Sequence, residues 1–450
     1  MRSRQARRSG GACLVALILT SLPVASGVSV SRAADPAETY EVRIGPNVRL
    51  GTDPHPARGR DVIGMSVDPS DPKHIVQTDW EYPGQRCEYH VTFDGAKTWT
   101  RGFLTAPPGF PDPPCYIDNN HPGGRPSDGS VSFGAGGNVY STFSVEHDGD
   151  RNSIIVVRST DGGRTFNQSI AAIPYSTDVD YRRPKLTVVR GESPKNDIVY
   201  VTSWACGGRT IPTSIGNCSN VVFTSSRDSG RTFTEPTPVN SFTAELALAS
   251  DNSQIAVASD GSIYVVYKTG GIPSASLRLA ASHDQGGTWE QSTVRSSFRS
   301  QRGFIDPKLA IDQTTDALYL VYEEATGSSG SDIFLQSSTD AGGAWSAPVR
   351  VNDDETATNQ IAPWVSVAKN GRIDLTWFDQ RNTYPGNSLE DVYYTYSTDG
   401  GETFAANRRV TDRVGNRDVG YKPRLGVFAP VNTPIGGNRV LVAWADSRQG

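Results

Sequence analysis

The octapeptide Ser159-Thr160-Asp161-Gly162-Gly163-Arg164-Thr165-Phe166 recurs along the chain and decides the fold. Six copies of its pattern begin at Thr92, Ser159, Ser226, Ser282, Ser338 and Ser397. Their aspartates, Asp94, Asp161, Asp228, Asp284, Asp340 and Asp399, are 56 to 67 residues apart. A short pattern that recurs six times at a nearly constant period predicts an architecture of repeated structural units.

Each copy has the chemistry of a tight hairpin. Asp and Ser side chains hydrogen-bond to nearby backbone N–H groups, and Gly adopts backbone conformations that other residues resist. The Trp or Phe that ends each copy supplies apolar area to cover the hairpin. We therefore expect these aspartates to be structural rather than catalytic.

The pattern Ser-x-Asp-x-Gly-x-Thr-Trp/Phe resembles the Asp-box of the sialidase-like (BNR-repeat) β-propeller superfamily. The resemblance runs from about residue 60 to the end of the chain, and the copies depart from it at Thr92, Ala96 and Ala344. It implies an all-β fold, a single β-propeller, with the Asp-box hairpins on the face opposite the site.

A second periodicity agrees with blades of this kind. Short apolar runs follow the prolines Pro126, Pro184, Pro307, Pro363 and Pro423. Proline suits the first residue of a strand, where no ladder donor is lost. We interpret these runs as the inner strands of successive blades, with seven blades favoured and six as the alternative. Ring closure would remove exposed strand edges.

Composition narrows the class of protein. The 450 residues include 45 Gly and 29 Pro, which disfavours long helices, and 8 Trp, 17 Tyr and 15 Phe, which exclude an intrinsically disordered chain. The formal net charge is −5. We therefore expect no nucleic-acid partner and no bulk attraction to anionic membranes, so that an anion-binding site must be a local cluster.

The first 33 residues are interpreted as a secretory signal peptide. Arg2, Arg4, Arg7 and Arg8 precede an apolar run from Ala12 to Val24 that is too short for a stable membrane span. Ser31-Arg32-Ala33 offers a cleavage point, and the alternative is an uncleaved anchor. Residues 34–450 are then the propeller with its six Asp-box repeats, in a protein we expect to be extracellular and monomeric.

The cysteines agree with export. Cys87, Cys115, Cys206 and Cys218 remain after cleavage, and four cysteines permit three pairings. Local pairing, Cys87 with Cys115 and Cys206 with Cys218, is favoured, and each disulfide would tie down a long loop. A zinc site is the alternative, but no Cys-x-x-Cys spacing supports it.

Candidate ligand-binding residues lie where inner strands begin and second strands end, because both meet at the mouth of a propeller channel. Arginines and lysines, Arg183, Lys185 and Lys308 among them, are frequent at these positions. Guanidinium groups grip carboxylates bidentately, which favours an acidic sugar as ligand. Trp80, Trp364, Asp379 and Arg381 are predicted to line the substrate. The alternative is a ring of inter-blade salt bridges.

The resemblance also implies residue roles. In sialidases three arginines hold the sugar carboxylate, a tyrosine activated by a glutamate attacks the anomeric carbon, and an aspartic acid protonates the leaving group. In this chain the corresponding hypothesis assigns the catalytic roles to Tyr421, to Glu323 (or its neighbour Glu324) and to Asp128. The carboxylate clamp would be Arg125, Arg183 and Arg424.

These observations predict a secreted, carbohydrate-active protein, with a sialidase-like glycoside hydrolase acting on an acidic glycan as the favoured function. A polysaccharide lyase on a uronate-containing glycan is one alternative, which His121 and His147 keep open. A noncatalytic propeller that binds glycan or protein is the other. No cofactor and no catalytic metal are expected. Structural calcium is the alternative at two acidic turns, Asp148–Asp150 and Asn352–Asp354.

Overall fold

The structure is a computed structural model, and it describes residues 11–21, 40–50, 59–82, 86–110, 129–146, 152–206, 218–240, 253–270, 274–299, 307–326, 330–383, 389–416, 429–436 and 438–446. In these ranges the regular secondary structure is β-strand throughout, apart from one short 3-10 turn at Ala135–Gly137. None of the described helices is long and apolar enough to cross a membrane.

Six antiparallel sheets, which we call blades I to VI, are each built from consecutive strands. Blade I contains Gly59–Asp68, Asp71–Tyr82, Arg86–Thr92 and Thr100–Phe103. Blade II contains Ser130–Phe133, Val139–Glu146, Asn152–Ser159 and Gln168–Ile173. Blade III contains Asp180–Val189, Ile198–Cys206, Cys218–Ser226 and Thr237–Pro238. In each blade these are the inner, second, third and outer strands.

The other three blades repeat the same order. Blade IV contains Gln254–Val257, Ile263–Gly270, Ser274–Ser282 and Glu290–Arg299. Blade V contains Lys308–Ile311, Leu318–Ala325, Ser331–Ser338 and Val349–Arg350. Blade VI contains Gln360–Val367, Ile373–Asp379, Leu389–Ser397 and Arg408–Arg409, and Gly415–Asn416 also pairs with its third strand.

A seventh sheet, the terminal sheet, joins the two ends of the chain. Its strands are Val431–Pro434, Arg439–Asp446, Gly11–Ser21 and Tyr40–Ile44, with Val48–Leu50 paired to Gly11–Ser21. The inner strands of neighbouring sheets contact one another in a closed circuit that runs through the six blades and the terminal sheet. Closure leaves no inner strand at an open edge of the ring.

The predicted all-β propeller is therefore confirmed. Six blades are made of consecutive strands, and the terminal sheet occupies the remaining position in the ring. Gly11–Ser21 belongs to the segment that we interpret as a signal peptide, and here it is a strand between Arg439–Asp446 and Tyr40–Ile44. Its cleavage stays a prediction.

The hydrophobic core is divided among the boundaries between sheets. Between blades V and VI, for example, Val321 and Leu335 pack with Leu375 and Trp377, all of which are buried. Similar clusters fill the boundaries on both sides of the terminal sheet. Second and third strands are covered on both faces, so successive residues are buried along Asn152–Ser159 and Ile373–Asp379 rather than every other one.

The hairpins between third and outer strands share one hydrogen-bond pattern. In the copy at Ser159, the Asp161 carboxylate accepts bonds from the Thr165 N–H at 2.9 Å and the Thr165 hydroxyl at 2.7 Å. The Gly163 N–H donates to the Ser159 hydroxyl at 2.8 Å. Gly163 has φ +83°, and a Cβ there would lie 2.8 Å from Val76 of blade I, so the fifth position must stay small.

Candidate functional site

One edge of every sheet, which we call the mouth edge, carries the start of the inner strand and the end of the second strand. In blade VI, Gln360 pairs with Asp379, and in blade III, Asp180 pairs with Cys206. The hairpins lie at the opposite edge, because third strands run antiparallel to second strands. The start of the inner strand and the end of the second strand therefore share one edge of each sheet, opposite the hairpins.

A β-bulge interrupts the inner strand near its start in blades III and VI. The pairing register shifts between Arg182 and Lys185 and between Ile361 and Trp364. Arg183 and Ala362, each followed by proline, have φ values of +53° and +52°. Left-handed backbone at a residue other than glycine is strained, and bulges re-aim side chains. Two blades thus use the same distortion at the mouth edge.

Arg183 is the one member of the predicted carboxylate clamp whose placement is described. It is only 7% exposed, and its guanidinium lies 5.4 Å from the centre of the Trp204 ring in the same blade. This cation–π contact holds the charge against the end of the second strand. Arg125, Arg424, Tyr421 and Asp128 lie outside the described residues, so their roles stay predictions.

Three lysines are buried in the same part of the ring. Lys185 in blade III, Lys268 in blade IV and Lys308 in blade V are 8%, 0% and 4% exposed. The Lys185 ammonium donates to the carbonyl of Gly129 at 3.3 Å, and the Lys308 ammonium lies 5.4 Å from the centre of the Trp364 ring. Burial of a charge is costly unless partners compensate it, so three buried lysines in this part of the ring require an explanation.

Lys268 was missed by the sequence reasoning, although a signal for it exists. Val266-Tyr267-Lys268 in blade IV matches Val321-Tyr322-Glu323 in blade V, and both runs finish two residues before the end of their second strands. The two charged residues therefore occupy the same position in neighbouring blades. One blade offers a cation there and the next offers a carboxylate.

Glu323 and its neighbour Glu324 point in opposite directions. Glu323 is 5% exposed and accepts a hydrogen bond from the Ala362 N–H at 3.1 Å, at the bulge of blade VI. One guanidinium nitrogen of Arg295, in the outer strand of blade IV, donates to both carboxylate oxygens of Glu324, at 2.9 and 3.1 Å. Of the two glutamates, Glu323 is the one that lies against an inner strand.

Arg381 is held by several carboxylates. It contacts Asp379 at 2.9 Å, Asp353 at 2.5 Å and Asp354 at 3.3 Å. Its guanidinium also lies 4.3 Å from the centre of the Tyr393 ring. Burial raises the pKa of Asp379, and the hydrogen bond and positive charge of Arg381 oppose that shift. These contacts favour a structural role for Arg381, whereas its predicted contact with substrate stays a prediction.

The acidic turn Asn352–Asp354, which we considered for calcium, is occupied by protein groups. Asp354 accepts a bond from the Asn352 side chain at 2.8 Å, and the guanidinium of Arg350 donates to its carbonyl oxygen at 2.5 Å. Arg381 supplies positive charge to both aspartates of the turn. The other acidic turn, Asp148–Asp150, lies outside the described residues.

The remaining predicted residues are partly described. Trp364 is half-buried and packs at the edge of the clusters on both sides of the terminal sheet. Trp80 lies in the second strand of blade I, and its side chain is outside the described part of the structure. Cys87 and Cys206 are each disulfide-bonded. Cys206 pairs in backbone register with Cys218, and Cys115 lies outside the described residues, so the proposed pairings stay predictions.

No protein-family model matches this chain, and no curated protein matches it significantly. Solved structures do match. An ulvan lyase from a new family of polysaccharide lyase, bound to GlcA(1-4)Rha3S, aligns with a TM-score of 0.52 at 12% identity, over 79% of this chain and 86% of its own. The NanB sialidase from Streptococcus pneumoniae aligns with a TM-score of 0.45 at 9% identity, over 90% and 88% of the two chains.

The α-L-arabinofuranosidase Arb93A from Fusarium graminearum aligns with a TM-score of 0.44 at 13% identity, over 79% of this chain and 93% of its own. At these identities the similarity is one of fold. The chain is a β-propeller, the fold it shares with these solved structures.

Proposed function

We propose that the mouth edge of blades III to V binds an acidic glycan, and that the protein is a sialidase-like glycoside hydrolase. The observation that carries the proposal is the set of four buried cations, Arg183, Lys185, Lys268 and Lys308. Three of them lie on inner strands of blades III and V and Lys268 lies on the second strand of blade IV, in a chain whose net charge is −5. A carboxylated or sulfated sugar complements such a site, whereas a neutral sugar does not.

Aromatic side chains support a sugar as the ligand. Trp204 and Trp364 each lie against one of the cations, at 5.4 Å from ring centre to charge. Ligand sites commonly combine such apolar surfaces with a few fixed polar groups that orient the ligand. The two tryptophans and the cations thus offer flat apolar area next to positive charge.

The proposed chemistry assigns Tyr421 as nucleophile, Glu323 as the group that activates it and Asp128 as the acid. A neutral tyrosine suits an anionic substrate, because a carboxylate nucleophile would be repelled by the substrate's own charge. Arg125, Arg183 and Arg424 would hold the substrate carboxylate. The burial of Glu323 beside the inner strand of blade VI supports its part in this arrangement.

A panel of acidic glycans tests the proposal. Sialosides, uronate polymers and sulfated uronate polymers are incubated with the purified protein, and the products are analysed by mass spectrometry. A new reducing end without unsaturation is the expected result. An unsaturated uronate product would identify a lyase, and binding without turnover would identify a binding module. Absence of binding to every anionic glycan would overturn the proposal.

We also propose that the protein is exported and cleaved near Ala34. The basic and apolar start of the chain and the disulfide-bonded cysteines Cys87 and Cys206 support this proposal. Intact mass and N-terminal sequencing of protein from culture medium test it, and a start at Ala34 is expected. A secreted chain that keeps Gly11–Ser21 would contradict the cleavage and would make that strand part of the mature terminal sheet.

A further inference from the structure

Blade I contains a compact cluster of ionisable side chains that the proposed glycan site does not use. Asp79 in the second strand pairs directly with Glu88 in the third strand, and His90 lies two residues further along the same face. Their exposed fractions are 0%, 1% and 2%. The cluster lies on the face that also carries Ile75, which packs against the terminal sheet.

The separations between the polar atoms resemble those between ligands of one metal ion. His90 Nε2 lies 3.1 Å from Asp79 Oδ2 and 3.8 Å from Glu88 Oε2, and the three ligand atoms all lie within 4.8 Å of one another. Ligands bound tetrahedrally at about 2.0–2.1 Å from zinc are separated by roughly 3.3 Å. One ion placed between the three groups would therefore require only small side-chain movements.

A fourth donor lies beside the cluster. Gln77 is fully buried, pairs with His90 across the strands and shares a face with Asp79. Its Nε2 donates to the Thr78 carbonyl at 2.9 Å, whereas its Oε1 has no hydrogen-bond partner among the described residues. A buried carbonyl oxygen without a partner is unfavourable, and a bound cation would satisfy it.

We propose that Asp79, Glu88, His90 and Gln77 bind a structural zinc ion. One imidazole nitrogen with carboxylate and amide oxygens suits zinc better than calcium or magnesium, which prefer ligand sets made only of oxygen. All four ligands come from two adjacent strands of blade I. The ion would rigidify the mouth-edge half of this blade at its boundary with the terminal sheet, and it has no part in the proposed glycan chemistry.

The metal content and the thermal stability of the full-length protein test this inference. The protein is purified without metal-affinity chromatography and its zinc is measured by mass spectrometry, with about one ion per chain expected. Chelation should lower the melting temperature by at least about 3 °C, and zinc should restore it, because a ligand of the native state stabilises that state. Calcium and magnesium should not restore it.

A matched pair of variants locates the site. His90→Gln should lose the bound zinc and the chelator sensitivity, whereas His283→Gln, a change at an exposed histidine, should keep both. If His90→Gln does not fold, the chelation and zinc-addition experiments on the wild-type protein still show whether the native protein binds zinc. Less than about 0.1 zinc per chain after dialysis against zinc, with an unchanged melting temperature, would overturn the inference. Restoration by calcium instead of zinc would overturn it too.

Discussion

The carboxylate of Glu323 in blade V accepts a hydrogen bond from the backbone N–H of Ala362 in blade VI at 3.1 Å. This bond crosses a blade boundary at the mouth edge and satisfies the N–H of a residue that is 4% exposed. Glu323→Ala should lower the free energy of unfolding by about 1–3 kcal/mol, because a buried donor loses its acceptor. Urea denaturation followed by tryptophan fluorescence measures the difference.

Glu323→Gln separates a catalytic role from this structural one. Its amide oxygen can still accept the Ala362 bond, so its stability should stay close to that of the wild-type protein. If Glu323 activates the nucleophile, kcat should fall by about 10²–10⁴-fold. Glu324→Gln, which alters the pair with Arg295 instead, is the control and should keep its turnover. Equal activity in wild type and Glu323→Gln would remove Glu323 from the catalytic assignment.

The buried cations should determine affinity for an acidic glycan. Arg183→Gln and Lys308→Gln should each weaken binding by about ten- to a hundredfold, because each removes a charge-assisted contact worth about 1.5–3 kcal/mol. Isothermal titration calorimetry at low and high salt measures the effect, and the salt dependence should be shallower in both variants. Lys195→Gln, at an exposed position beyond the inner strand of blade III, serves as control. Wild-type affinity in both Arg183→Gln and Lys308→Gln would contradict the assignment of these cations to the glycan site.

The repeat made the fold predictable. Six spaced octapeptides predict six hairpins, and the prolines mark the starts of inner strands. Pro307 directly precedes the inner strand of blade V, whereas Pro184 and Pro363, expected as first residues, lie inside theirs at the bulges. The bulges at Arg183 and Ala362 could not be predicted, because the residue before a proline usually avoids helical backbone and nothing local marks a left-handed one. The strand Gly11–Ser21 was also not predicted, since an apolar run that follows several arginines is typical of a signal peptide.

The site was predictable in position more than in detail. Arg183 lies in the inner strand of blade III and Glu323 in the second strand of blade V, both toward the mouth edge, whereas Trp364 pairs with Thr376 further along its strand. Their roles in binding and catalysis stay predictions. Which carboxylate a given arginine pairs with depends on contacts between residues far apart in sequence, such as Arg381 and Asp353. Sequence spacing does not predict such contacts. The cluster of Asp79, Glu88 and His90 was missed for the same reason, because it depends on the register between two strands.

Arg381 should be required for folding. Arg381→Ala leaves Asp379, which is 0% exposed, without its cation, and removal of one partner of a buried pair costs about 3–5 kcal/mol. Burial then raises the pKa of Asp379, still opposed by the hydrogen bonds from the Trp377 side chain and from the backbone N–H at position 381. The variant should therefore lose stability relative to wild type as pH rises above the ordinary aspartate value of about 3.9. Urea denaturation at pH 4 and pH 7 should give the larger deficit at pH 7.

The exposed Arg101→Ala variant is the control for this comparison and should match the wild-type protein at both pH values. A fully stable Arg381→Ala variant with weakened glycan binding would instead support the substrate contact first predicted for this residue.

The hairpin aspartates should make the fold sensitive to acid. Hydrogen bonds from Thr288 and Ser282 lower the pKa of Asp284 to about 2. A depressed folded-state pKa contributes stability that is present above the unfolded value of about 3.9 and is lost as pH falls toward 2. The melting temperature of Asp284→Asn should therefore change less than that of wild type between pH 4 and pH 2. Asp178→Asn, a change in an exposed loop, should follow wild type, and identical curves for all three proteins would refute this account.

One hairpin lacks a hydroxyl that the other five have, and restoring it should stabilise the protein. In four of the others a threonine hydroxyl donates to the second carboxylate oxygen of the aspartate at 2.5 to 2.7 Å, and Thr403 donates to Asp399 in the same way. Ala344 offers Asp340 only its backbone N–H, at 2.8 Å. Ala344→Thr should raise the melting temperature slightly, because it adds one hydrogen bond to the Asp340 carboxylate. Ala344→Val has the same shape without the donor, so it should give no such gain, and an equal gain from both variants would attribute the effect to packing rather than to the hydrogen bond.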